Sequence, residues 1–297
     1  MCNIVSKKWI LLFVGFFILF FIIFYLFQNN KLTKENIMEQ NLKPLELHFW
    51  ERGREDFLKY SYENIDRHPV GMNFMDIRWQ APQLGIVKII TESSDLIIPN
   101  TLWVGGIDYA RMGSGIQNIT IRGSLHYDEY TTPENAYKAY VTLAKQINQK
   151  HWKQYFQDTV PRIHIEDNFK YALNTGEIID PTYILSYEEW REVLNKNYGI
   201  GFELYNNEIT LSLFISRRYQ DDKKEQYSTR YEFVTFRYLA HNGNKEEGMS
   251  NEAFKDVLKN QKINYDTIRD KREIEVIKEG YRINKEYVYP DIWQYAK

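Results

Sequence analysis

Cysteine is almost missing from these 297 residues: the single one, Cys2, lies at the extreme N-terminus. The rest of the chain therefore holds no disulfide, no thiolate metal site and no cysteine nucleophile. A cysteine-free domain of this size fits a bacterial envelope better than a disulfide-rich extracellular setting. An excess of basic charge is missing too. Residues 28 to 297 carry 36 of the 38 Lys and Arg and all 40 Asp and Glu, a formal net charge of −4. Nucleic-acid binding normally calls for a clustered basic face, so no nucleic-acid partner is expected. With 43% hydrophobic residues, only 8 prolines and 15 glycines, the chain lacks the composition of a disordered or low-complexity protein and is long enough to build a large core.

One stretch is abundant where the others are sparse. Trp9 to Phe27 runs 19 residues without a charge, about 28 Å as a helix, close to the hydrocarbon thickness of a bilayer. A cleaved signal peptide has a shorter apolar core and a small-residue cleavage site, whereas Tyr25-Leu26-Phe27-Gln28 offers none, and Cys2 precedes the run instead of following it. The expectation is a retained single-pass anchor over residues 9–27 in contact with the lipid bilayer, with residues 1–8 as a cytoplasmic head. Lys7 and Lys8 abut the span, while Lys31, Lys34 and Lys43 are spread beyond it, which orients the C-terminal part outward. Residues 28–43 read as a polar tether and 44–297 as an extracytoplasmic domain, with a sub-boundary near 151–185.

The domain reads as α+β: antiparallel sheet packed by a few helices. Asn73–Gln80, Leu84–Thr91, Thr101–Ile107 and Ile116–Tyr130 are the expected strands of the first half, separated by turns at Gly105-Gly106 and Gly113-Ser114-Gly115. Thr132-Pro133-Glu134 starts a helix whose apolar positions Ala136, Tyr140, Leu143, Ala144 and Ile147 recur every three or four residues. Ser186-Tyr187-Glu188-Glu189 is a capping box, and Ser250-Asn251-Glu252 caps a third helix. Between them a hairpin, Ile200–Tyr205 with Ile209–Ser216, turns at Asn206-Asn207, and Tyr231–Ala240 reads as a strand. Arg162–Ile165, Ile274–Ile277 and Tyr281–Tyr289 read as further short strands, and the aromatic finish at Trp293 and Tyr295 as a packed tail. Both halves run from a β-meander into a capped helix, which raises the expectation of two related ββ…α modules.

Chemistry is thin. His126 with Asp128, and His164 with Glu166, stand at the spacing that shares one face of a strand, and such a pair can orient a base or contribute two metal ligands. Neither is accompanied by residues at metal-ligand spacing, so solvated ion pairs are the favoured reading, and no metal or cofactor is expected. The run Asp221-Asp222-Lys223-Lys224-Glu225 reads as a solvated hairpin loop. The 23 Tyr, 17 Phe and 7 Trp supply core and, where exposed, the residue types enriched at binding hot spots.

Two classes of function follow. The favoured one is a non-enzymatic protein of the bacterial inner membrane, its C-terminal domain in the periplasm, capturing a protein ligand as a toxin-neutralising immunity protein or an accessory subunit of an envelope machine. The alternative is an envelope hydrolase or glycan-binding protein that uses His126 and Asp128 or His164 and Glu166.

Overall fold

The chain divides into two units, Met1–Pro44 and Leu45–Lys297. The computed structural model describes residues 43–296 except 62–64, 70, 93, 110–114 and 222. The apolar run 9–27, its flanks and the Gly113-Ser114 pair lie outside the described residues. Among the described residues no helix is long and apolar enough to cross a membrane.

The second unit is α+β. Its first half comprises β1 (Leu45–Leu47), α1 (Trp50–Tyr60), β2 (Asp66–His68), β3 (Met72–Arg78), β4 (Gly85–Ile89), β5 (Leu96–Tyr109), β6 (Ile116–Ser124) and α2 (Pro133–Gln149). Its second half comprises β7 (Lys153–Gln154), α3 (Asn168–Thr175), β8 (Glu177–Ile178), α4 (Tyr187–Asn197), β9 (Gly199–Asn206), β10 (Ile209–Gln220), β11 (Glu225–Thr235), α5 (Phe236–His241), α6 (Asn251–Lys278) and α7 (Trp293–Ala296). Among the described residues all eleven strands join one sheet, with the path β1-β4-β5-β6-β11-β10-β9-β7. The sheet is mixed and not purely antiparallel. Two short strands, β1 on β4 and β8 on β9, pair in parallel, and in each half a helix lies between the two parallel partners in sequence, as a parallel connection requires. The meanders β4-β5-β6 and β9-β10-β11 meet where β6 pairs antiparallel with β11.

One face of the sheet carries the core. Phe57 of α1, Tyr140 and Ile147 of α2, and Trp190 and Leu194 of α4 pack with inward strand residues such as Val104, Ile121, Phe202, Leu213 and Phe233 in one buried cluster. The caps form as their sequences specify: Thr132 accepts from the Asn135 amide with Pro133 at the first turn, and Ser186 and Glu189 form a reciprocal box. A smaller cluster seats the tail, where Phe254 and Ala240 pack with Leu258, Ile292 and Trp293.

Several expected elements differ, each for a local reason. The Tyr231–Ala240 strand stops at Thr235, because Thr235 is paired with Ile209, the first residue of β10, and no ladder remains beyond it. Thr235 then caps α5 by accepting from the Tyr238 amide. Ile274–Ile277 is helical, inside the 28-residue α6. No proline or glycine interrupts that helix, and it ends only before Gly280 at φ 82°. Arg162–Ile165 and Tyr281–Tyr289 do not form strands: Ile163 and Ile283 meet in an isolated bridge, and a 3-10 turn follows at Ile165–Asp167. The β9–β10 turn is Asn207-Glu208, with Asn206 already paired to Ile209 and Asn207 at φ 48°. Gly105-Gly106 is not a turn but the middle of β5.

Candidate functional site

The two His-carboxylate pairs do not stand on strands. After Ser124 the chain leaves β6, and His126 Nδ1 accepts the Asp128 amide at 3.0 Å, with the Asp128 carboxylate 3.7 Å away. His164 precedes the 3-10 turn, and its Nδ1 accepts the Glu166 amide at 3.3 Å. The Glu166 carboxylate lies 3.9 Å from that nitrogen and pairs with Arg282. Each imidazole thus uses one nitrogen to satisfy its own turn, as Asx and ST side chains do. The structure brings His126 to Asp128 and His164 to Glu166, and among the described residues no group of three or more His, Cys, Asp or Glu is placed to hold a metal ion.

The charged run at 221–225 holds a surprise. Glu225 is wholly buried, accepting from Arg191 Nη1 at 2.7 Å and pairing with Arg217 at 3.4 Å, with the Tyr227 hydroxyl as a further donor. Arg217 also reaches Asn195 and the Leu194 carbonyl. This cluster ties α4 to the β10–β11 hairpin. It is structural, because a buried carboxylate with two guanidinium partners has its acceptor positions filled.

The feature that asks for another explanation lies on the sheet face opposite the core. Directly paired residues share a face, and the register sets up one row: Gly201 opposite Phe214, Phe214 opposite Arg230, Arg230 opposite Arg122, Arg122 opposite Trp103 and Trp103 opposite Arg78. Phe214 is 44% exposed in mid-strand. Its ring occupies the space beside Gly199, where any Cβ would overlap it, and touches the space beside Gly201. Trp103 does the same over Gly105, and its indole Nε1 donates to Asp76 at 3.2 Å. The two glycines of β9 and Gly105 of β5 are thus seats for rings, which fixes the aromatics as rigid plates at the two ends of an arginine pair.

Arg230 bonds Glu232 at 2.6 Å, and Arg78 bonds Asp76. Arg122 is exposed, with its guanidinium 5.4 Å from the Trp103 ring centroid, and among the described residues it has no ion-pair partner. Like charges directly opposite across two strands destabilise a sheet, so the Arg122–Arg230 pair is a feature that folding alone does not favour. Beside this row Tyr198, preceding Gly199, holds a left-handed backbone at φ 58° and is 68% exposed. That conformation is unfavourable for a bulky residue and is normally left to glycine at a helix end.

The next row inward is acidic. Glu203, Ser212 and Glu232 are successive cross-strand partners, and Ser212 Oγ donates to Glu203 at 2.7 Å. Burial pushes the Glu203 carboxyl up to about 7, helped by the nearby Glu177. Burial likewise raises Glu177. Sequence reasoning missed the residues of both rows, since the partners are 9 to 108 positions apart and only the register joins them. The one local trace was the Gly199-x-Gly201 spacing beside an expected strand.

No family model, curated protein or solved structure matches the chain.

Proposed function

We propose that this is a non-enzymatic binding protein that captures a protein ligand on the exposed sheet face bearing Phe214, Arg230, Arg122 and Trp103. The observation that carries the reading is the opposed Arg122–Arg230 pair between two ring plates: it weakens the sheet, is exposed, and combines the residue types that dominate binding hot spots. The domain is held at the bacterial inner membrane by residues 9–27 and faces the periplasm, as an immunity protein or an accessory subunit of an envelope machine. The uncharged 19-residue run without a cleavage site supports that placement, and relatedness of the two halves is supported by their shared order of parallel strand, helix and meander.

The test is co-purification from native membranes with the full chain. A protein that accompanies the wild type should be lost with Phe214→Asp and kept with Val288→Asp, which alters a still more exposed apolar residue outside this row. If no accompanying protein responds to Phe214→Asp, the reading fails. Reporters fused after Lys297 test the placement: a periplasm-dependent reporter should be active, and activity of a cytoplasm-dependent reporter alone would overturn it.

A further inference from the structure

We infer that the segment bound on this face is acidic: two carboxylates of the partner meet Arg122 and Arg230, with apolar side chains laid on Phe214 and Trp103. This rests on the binding reading above and names the chemistry of the partner.

Charge carries the inference first. On this face Arg78, Arg122, Arg218 and Arg230 stand against Asp76 and Glu232, each already paired to an arginine two residues away, and against Glu203 and Glu177 at the β9 end, whose carboxyls burial shifts toward the neutral form. Arg218 bonds only a hydroxyl, Ser228 Oγ, at 2.8 Å. The arginine row belongs to a domain, residues 44–297, with a formal net charge of −5, so it opposes the average surface. Arg122 and Arg230 present planar forks suited to carboxylates, and a carboxylate against each would offset the repulsion between them.

Geometry adds a length. Phe214 and Trp103 sit on strands three steps apart, about 14 Å at the usual strand spacing. An extended chain covers that in about four residues, so one short segment reaches from one ring to the other across both arginines. Ring plates seated on glycines need no reordering on contact, which lowers the entropic cost of binding. The exposed Tyr198 in its strained backbone lies next to the Gly199 seat, consistent with strain held where a ligand uses it.

The experiment selects short random peptides displayed on phage against the full chain, wild type and Arg122→Glu. That variant places an acid opposite Arg230, a favourable cross-strand pair, so its fold is retained. Arg122→Gln serves as a second, neutral variant. Peptides enriched on the wild type should be rich in Asp and Glu next to apolar residues, weaken by about tenfold toward 0.5 M salt, and bind Arg122→Glu about a hundredfold more weakly, with Arg122→Gln between. Enriched peptides without acidic excess, acidic peptides held equally by Arg122→Glu, or no enrichment at all would overturn the inference. So would tighter binding of oligothymidine, phosphatidylglycerol vesicles or a glycan fragment that the same variant abolishes. Loss of partner capture by Phe214→Asp with no effect of Arg122→Glu would leave the binding reading standing and sink only the acidic partner.

Discussion

Glu203 offers the most quantitative prediction. Its ordinary value of 4.5 is raised to about 7 by burial on the polar face of β9. An acid whose folded value lies above its unfolded one contributes fully to stability below the unfolded value. That contribution is lost as pH climbs from about 4.5 through about 7, where the folded state must ionise a buried group. At 1.36 kcal/mol per unit, a shift of about 2.5 units costs about 3 kcal/mol once Glu203 is ionised in both states, and about 2.5 kcal/mol of that falls between about pH 5 and about pH 8. Glu203→Gln keeps the acceptor for Ser212 and removes the titration. The difference in stability between variant and wild type should therefore grow by about 2.5 kcal/mol in favour of the variant over that range. With a urea slope of about 3 kcal/mol/M, the midpoints separate by a further 0.8 M or so. Burial also raises Asp158, Glu177 and Glu208, but these titrate in both proteins and largely cancel in the difference. Tryptophan fluorescence in urea on the full chain in mild detergent reads it, and parallel pH profiles of the two proteins would refute the reasoning.

Removing the Glu225 side chain strands Arg217 and Arg191. Glu225→Ala should cost about 3–5 kcal/mol, and a urea midpoint within error of the wild type would show that the cluster is not held as described. Tyr198→Gly should stabilise the domain by up to about 1 kcal/mol by relieving the left-handed tyrosine while weakening partner capture. Thermal unfolding and co-purification read the two effects, and a loss of stability would show that Tyr198 is held in place by packing rather than strained. Trp293→Ala should cost about 2 kcal/mol through lost contact with Phe254, and hydrogen exchange should show α6 opening first; an unaltered α6 would mean the tail does not secure it.

Helix starts were legible because capping is local: Thr132-Pro133, Ser186 with Glu189, and Ser250 each act within three residues and stand where the sequence places them. Strand ends were not, because they depend on the partner. Tyr231–Ala240 is apolar and β-prone throughout, yet β11 stops when β10 has no residue left to pair with Thr235. Gly105-Gly106 looked like a turn because its real purpose, room for the Trp103 and Phe57 rings, involves side chains that only folding brings there. Glu225 looked solvated because the arginine that buries it comes from α4, 34 residues away. The exposed row was the least legible of all. Arg122 and Arg230 gain meaning only from the β6–β11 pairing, a contact no local pattern encodes. The His126–Asp128 and His164–Glu166 pairs, whose spacing reads as a shared strand face, serve their own turns.

The central claim is that the ring-and-arginine face holds a protein partner. Co-purification from native membranes with Phe214→Asp against Val288→Asp tests it most directly. The account predicts a partner present with the wild type and with Val288→Asp and missing with Phe214→Asp; a partner retained by Phe214→Asp, or none responding to it, would contradict the account.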